Sequence, residues 1–248
     1  MPFSTVIITK NEADNIERTL LAAQQVCSDI VVVDSGSTDA TVAICKRLGA
    51  RVFPYTWEGY SANKNYGAAQ AQHDWILSID ADEVLSMDLI ATLQQVDLGE
   101  KTVYAIDILT NYCGTWIRHS GWYPCWRKRL YNRKNVHWNQ DLAHEGLVIP
   151  EGFEVVCLQG KVEHYSYKSL DDHDQRIEHY AQLSASNLHR QGKQAGFVKL
   201  YLGPPFRFFR TFVLKLGFLD GQSGWIISKK DAYLVYRKYR LLRTLSKK

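Results

Sequence analysis

Trp75-Ile-Leu-Ser-Ile-Asp80-Ala-Asp82 is the stretch on which the reading of this chain turns. Residues Trp75–Asp80 are too short a run for a stable helix, and they are apolar enough to be buried on both faces. They read as a strand of a covered, parallel sheet. The strand ends on two carboxylates spaced two apart. Such a pair can address one hard divalent cation whose shell is completed by substrate phosphates. It can equally be a solvated turn that caps the next helix. Position distinguishes this Asp-Ala-Asp from a chance match, because α/β sheets bind ligands at the carboxyl ends of their strands.

Upstream, the same grammar repeats. Phe3–Thr9 and Ile30–Asp34 are apolar strand runs, and Arg51–Pro54 is a shorter one. Between them, Asn11 caps a helix with a stripe at Ala13, Ile16, Leu20 and Ala23. A second helix spans Thr38–Leu48 and closes at Gly49. A third spans Tyr60–Ala71. Strands alternating with helices require right-handed crossovers, hence a Rossmann-type, mostly parallel sheet with helices on both faces. After residue 100 the pattern changes. Val103–Thr110 and Glu154–Glu163 read as strands, and 112–140 as loops and short strands. Ser169 opens a helix with Asp172 three residues on, and that helix stops near Gly192. The expected organisation is a catalytic domain over 1–192, with a nucleotide-binding half (1–100) and an acceptor-side half (101–192). A basic, aromatic helical segment follows over 193–248, interrupted at Pro204-Pro205.

Three further motifs lie at strand exits or face them. Thr9-Lys10-Asn11-Glu12 ends the first strand. Asp34-Ser-Gly-Ser-Thr-Asp39 ends the second, with Gly36 allowing a tight turn. Asn63-Lys64-Asn65 lies on the third helix. A carboxylate at such a turn can accept from an imide N–H or a ribose hydroxyl, or simply organise its own loop. Lys64 is a point charge suited to phosphate, or a solvated helix lysine.

Taken together and in this order, Thr-Lys-Asn-Glu, Asp-x-Gly-Ser-x-Asp, Asn-Lys-x-x-Gly and Asp-Ala-Asp resemble glycosyltransferase family 2, inverting enzymes of the GT-A fold. The likeness is specific over the first 85 residues and looser through His144-Glu145-Gly146 and His164-Tyr165. The whole chain resembles bacterial lipopolysaccharide core glycosyltransferases that add a β-1,4-linked glucose. The resemblance implies a nucleotide-sugar donor, with UDP as the nucleotide. Its site would comprise Thr9, Asn11, Glu12, Asp34 and Asp39 around the base and ribose, Asp80 on the ribose and Lys64 on the pyrophosphate. It implies Mg²⁺ or Mn²⁺ held by Asp82, with His164 completing the shell, to neutralise the departing diphosphate. Glu145 is the implied base for the attacking hydroxyl. Trp122, Tyr123, Trp126 and Trp138 are candidates for sugar stacking, and Arg127, Lys128 and Arg129 for acceptor phosphates.

Charge divides the chain. Residues 1–100 hold 6 Lys/Arg and 14 Asp/Glu, 101–185 hold 10 of each, and 186–248 hold 14 Lys/Arg against Asp220 and Asp231. The basic end suits a polyanion. Its run Phe206–Leu219 interleaves apolar anchors with Arg207, Arg210 and Lys215, and is too charged to span a bilayer. It reads either as an interfacial segment or as an amphipathic helix packed on the catalytic domain. The expected partners are the nucleotide sugar, a lipid-linked oligosaccharide acceptor and an anionic membrane surface. The expected place is the cytoplasmic face of the inner membrane, held peripherally, and no nucleic acid is expected. Met1–Asn15 has no leader pattern. Five cysteines without a C-x-x-C suggest reduced thiols, with room for one Cys113–Cys125 bridge.

Other classes fit less well. A nucleotidyltransferase would want a glycine-rich triphosphate loop where Thr9–Glu12 has one lysine and no glycine. A nucleic-acid-binding protein would leave the acidic first half without a task. A dinucleotide-dependent dehydrogenase lacks its G-x-G-x-x-G, and Gly221-Gln-Ser-Gly224 is not a nucleophile elbow.

Overall fold

The computed structural model describes residues 3–139 and 145–246. Its strands are β1 (Phe3–Thr9), β2 (Ile30–Asp34), β3 (Arg51–Pro54), β4 (Trp75–Asp80), β5 (Glu83–Leu85), β6 (Thr102–Tyr112), β7 (Thr115–Trp116), β8 (Trp126–Asn132), β9 (His137–Trp138), β10 (Leu147–Val148) and β11 (Glu154–Tyr167). The helices are α1 (Ile16–Ala23), α2 (Thr41–Arg47), α3 (Tyr60–Gln70), α4 (Met87–Gln95), α5 (Leu170–Arg190), α6 (Gly203–Phe209) and α7 (Gly221–Leu245). Turns of π-helix, Val198–Leu202 and Arg210–Leu214, flank α6.

The large sheet runs β3-β2-β1-β4-β8-β6-β11-β5, with β7 beside β6. The first four strands are parallel, and β8 joins β4 antiparallel. This is the α/β sheet expected from the alternation, and it is GT-A-like, as the resemblance implied. The period-two geometry of the strands sorts the core onto two faces. Phe3, Ile7, Ile30, Val32, Leu77 and Ile79 join one cluster with residues of α1, α2 and α4. Val6, Ile8, Val31, Val33 and Ile76 join the other, with Ala68 of α3. Gly67 allows that second contact: a Cβ there would stand 2.5 Å from Val6 Cγ1 and 2.8 Å from Val33 Cγ2. The glycine of Asn-Lys-x-x-Gly therefore lets α3 lie close to the sheet, which fixes where Lys64 emerges.

Register brings the strand exits level. Thr9 pairs with Asp34, and Ile8 with Asp80, so Thr9, Asp34 and Asp80 share one rim. Antiparallel β5 and β11 set His164 opposite Glu83.

The chain forms two compact units. The first comprises Met1–Ile108 with Cys125–Tyr165, and the second Leu109–Pro124 with Ser166–Lys248. The α5 helix, counted by sequence with the acceptor-side half, lies in the second unit. There it packs along α7 through Arg237–Glu178 at 2.8 Å and Lys230–Asp174. Its buried residues His173, Ile177, Ala181 and Ala185 recur every fourth position. Ser169 caps it as expected, accepting from the Asp172 N–H at 3.1 Å.

Some local expectations change. Helix α1 begins at Ile16, so Asn11 is not its cap. Asn11 instead adopts φ +55° and bridges to the next loop. Helix α2 starts at Thr41, with Ala40 at its N-cap position, rather than at Thr38. Pro204-Pro205 is not a break but stands in the first turn of α6, where backbone N–H groups have no helical partner to lose. All five cysteines are free.

Candidate active site

The site is built in the first unit at the carboxyl rim of the parallel strands. Asp80, the last residue of β4, sits between two cations. Lys64 Nζ lies 3.3 Å from its Oδ1, and Arg129 Nη2 lies 3.2 Å from its Oδ2. Burial alone would raise the Asp80 pKa, but Lys64 and Arg129 outweigh it and hold the carboxyl well below the usual carboxylate range. Arg129 also grips Glu83. Burial pushes Glu83 upward, reinforced by the neighbouring Asp80 and opposed by Arg129.

Lys64 is 1% exposed, yet its ammonium also meets Glu145 Oε2 at 3.1 Å and lies 4.6 Å from the Trp138 ring centroid. A lysine this buried needs compensating charge. Two carboxylates supply it, one from Asp-Ala-Asp and one from the late His-Glu-Gly. Lys64 thus joins Asp80 to Glu145 across 65 residues of sequence. The Glu145 side chain keeps 41% of its surface exposed, so its carboxylate is held from behind and open in front.

Asp82 turns the other way. Its Oδ2 accepts from His164 Nε2 at 3.2 Å, and its carbonyl accepts the Tyr165 N–H at 2.9 Å. Burial disfavours the His164 imidazolium, but Asp82, Glu83 and Asp80 raise its pKa. Among the described residues, no three His, Cys, Asp or Glu side chains gather into a metal cage. Asp82 and His164 nevertheless fit a divalent ion as two adjacent, part-exposed donors that leave positions for phosphate oxygens. Next to them, the Arg18 guanidinium lies over the Tyr165 ring, 3.8 Å from its centroid.

The remaining candidates form a lattice joining the loops after β1 and β2. Asp34 accepts from the N–H groups of Gly36 (3.1 Å) and Ser37 (3.0 Å). Asn11 accepts from the Thr38 N–H at 2.8 Å and donates its own N–H to Ser37 Oγ at 2.9 Å. The Glu12 N–H donates to Thr41 Oγ1, and the Glu12 carboxylate accepts from Asn15. Asp39 accepts from Ala13 and from both the N–H and hydroxyl of Thr41, whose hydrogen bonds lower its pKa. Thr9 is buried, and its carbonyl accepts from the Ser35 N–H. These loops lie beside Asp80 on the rim, but their side chains do not join the Lys64–Arg129 cluster.

Arg129 was one of three basic candidates in a row, and nothing in the spacing singles it out. Pairing of β6 with β8 jumps from Tyr104–Leu130 to Ala105–Lys128, leaving Arg129 as the extra residue of a bulge. A bulge re-aims a side chain. Arg127 and Lys128 remain exposed while Arg129 is buried at 7% exposure. Glu83, which receives Arg129, was not a sequence candidate. Its signal was its place one residue beyond Asp-Ala-Asp. Of the aromatic candidates, Trp138 backs Lys64 and donates to the Tyr131 hydroxyl. Trp122 stacks on Tyr167 in the second unit's core, and Trp126 is exposed. His144 lies outside the described residues.

The rim of the parallel strands thus presents an Asp-Ala-Asp and an adjoining carboxylate held by a buried lysine. Residues 4–146, more than half of the sequence, match the profile of glycosyl transferase family 2, and the chain belongs to that family. It is 30% identical over 258 residues to an uncharacterized glycosyltransferase of Rickettsia typhi, covering 99% of this chain and 88% of the relative. It is 26% identical over 262 residues to the lipopolysaccharide core biosynthesis glycosyltransferase LpsC of Rhizobium meliloti, covering 97% and 94%. Among solved structures, S. aureus TarS 1-349 in complex with UDP-GlcNAc aligns over 100% of this chain and 91% of its own, at 14% identity and TM-score 0.48.

Proposed function

We propose that this glycosyltransferase moves a sugar, glucose foremost, from a UDP-sugar to a membrane-linked glycolipid such as a lipopolysaccharide inner core, with inversion. The observation that carries the reading is the Lys64 bridge. It holds the Asp80 carboxylate of the donor motif and the Glu145 carboxylate on one ammonium, at 3.3 and 3.1 Å. The acceptor in this reading follows the similarity to LpsC over nearly the full chain.

The geometry supports the following division of labour. The loops after β1 and β2, locked by Asn11, Asp34 and Asp39, form a rigid wall for the base and ribose. Asp80, kept ionised by Lys64 and Arg129, accepts from a ribose hydroxyl. Lys64 and Arg129 add positive potential beneath the diphosphate. Asp82 and His164 would hold Mg²⁺ or Mn²⁺, which supplies charge neutralisation for the leaving diphosphate. Glu145 takes the proton of the attacking hydroxyl on its carboxylate. Its contact with Lys64 orients it, and its open side admits the acceptor.

The test is turnover of Glu145→Gln with UDP-glucose and a deacylated inner-core acceptor. A loss of about 10²–10⁴ in kcat, with UDP-glucose affinity within about threefold of wild type, is expected. Near-normal turnover would remove Glu145 from the role. A panel of nucleotide sugars scored by thermal shift selects the donor, since a ligand that binds only the native state raises its apparent stability.

A further inference from the structure

The second unit carries a helical run with an apolar face turned outward. Along Val198–Leu214, the residues facing α7 are Leu200, Gly203, Arg207 and Thr211, with Phe208 and Phe212 packed on Trp225 of α7. Leu200 and Thr211 are buried, and a Cβ on Gly203 would come within 3.3 Å of Val235 Cγ1. Arg207 pairs with Asp231 of α7 at 3.0 Å, and the Thr211 hydroxyl donates to the same carboxylate at 3.1 Å. The opposite side, at helical spacing, is Val198, Leu202, Phe206, Phe209 and Val213, all exposed, with Phe206 at 62%. Beyond the run, Phe218 and Leu219 are exposed too, at 48% and 57%. Arg207 and Thr211 are spent inward beside Phe208 and Phe212, while five further apolar side chains of the run look out. A helix meant only to face water would reverse that choice.

The charges around this face fit one kind of partner. The segment's only two acids are consumed internally: Asp231 by Arg207 and Thr211, and Asp220 by the Arg118 and His119 N–H groups and the Ser120 hydroxyl. Exposed Lys199 and Arg210 of the run, and Lys215 just after it, remain. No described helix is long and apolar enough to cross a membrane. An exposed apolar stripe with unopposed cations around it matches the boundary between acyl chains and anionic headgroups, where the stripe sinks in and the cations meet phosphate.

We propose that the outward face of Val198–Val213, with Phe218 and Leu219, is an interfacial docking surface for an anionic lipid bilayer. This deepens the proposed reaction, because it would bring the enzyme to a lipid-linked acceptor. The test uses the full chain, floated with vesicles of phosphatidylcholine alone or with about one-third phosphatidylglycerol. Wild type should float with the anionic vesicles at low salt and be released by high salt. The double substitution Phe206→Asp with Phe209→Asp should lower the bound fraction ~tenfold or more. Its melting temperature should be unchanged, since both side chains are exposed. Leu21→Asp, an equally exposed apolar position on α1, should float like wild type. Wild type failing to float, or the double variant floating equally well, overturns the proposal. So does a light-scattering dimer that the double substitution disperses in the absence of flotation, which would assign the face to a second copy of the chain. UDP-dependent thermal shift on the same proteins reports the donor site independently, so loss of one reading is distinguishable from loss of the other.

Discussion

Replacing Arg129 with methionine keeps a long, flexible side chain on β8 and deletes the charge that joins Asp80 to Glu83. In the native protein Arg129 is 7% exposed and contacts both carboxylates. Without it, Glu83 loses its direct ion-pair partner, and Asp80 keeps only Lys64 in direct contact, which is shared with Glu145. Breaking a buried ion pair from one side costs about 3–5 kcal/mol, because the stranded charge stays desolvated. At roughly 2–4 °C per kcal/mol for a chain of this size, the melting temperature should drop by about 10 °C. The cost is one of stranded charge rather than lost packing, so a second change should return part of it. Glu83→Gln in the Arg129→Met background removes that charge and keeps the shape, and should restore about 2 kcal/mol. In the presence of Arg129, the same Glu83→Gln change should destabilise. Thermal melts of the four proteins measure this cycle. Arg129→Met melting within about 2 °C of wild type, or Glu83→Gln giving the same shift in both backgrounds, would refute the reasoning.

Other outcomes follow from the same geometry. Burial, with Lys230 nearby, presses the His173 pKa down to about 4, and its Nδ1 lies 2.8 Å from the Tyr112 hydroxyl. The unfolded chain takes up this proton near pH 6.5, while the native one refuses it until about 4. This contribution is therefore whole above pH 6.5 and lost as pH falls, by about 2 kcal/mol at pH 4.5. Urea melts should show His173→Gln losing less stability than wild type between pH 7 and 4.5, and an equal acid loss would contradict the assignment. Gly160 has φ +94°, and a Cβ there would stand 2.3 Å from the Leu89 nitrogen, so Gly160→Ala should cost more than about 3 kcal/mol or abolish soluble expression. Gly49→Ala, at φ +76° with open space around it, should cost only about 1 kcal/mol. Chelation should remove glycosyl transfer that Mg²⁺ or Mn²⁺ restores, and Asp82→Asn should raise the metal concentration needed by ~tenfold or more. A chelator-insensitive rate would remove the metal from the proposal.

Much of the rim was legible from local pattern. Trp75–Asp80, Ile30–Asp34 and Phe3–Thr9 are short apolar runs ending in polar residues. Strand period and burial fix their faces and exits without reference to any distant residue. Asp80, Asp34 and Thr9 therefore belong on one edge by local pattern alone. The cap at Ser169 is local in the same sense, whereas the role of Gly67 depends on Val6 and Val33 of distant strands. Asn11 was misread as a cap because its side chain serves a loop 27 residues away, a partner that no helical spacing encodes.

By itself, then, the chain determined which strands end in acid, the order in which they follow one another, and the excess of cations at its end. Folding alone decided which of those acids meet a cation. Lys64 joins Asp80 to Glu145, and a bulge turns Arg129 rather than Lys128 inward, because both outcomes depend on register between strands far apart in sequence. Folding also decided that Phe206 and Phe209 face outward while Arg207 faces Asp231. Periodicity shows that a helix has two sides, and only the neighbour it packs against determines which side is hidden.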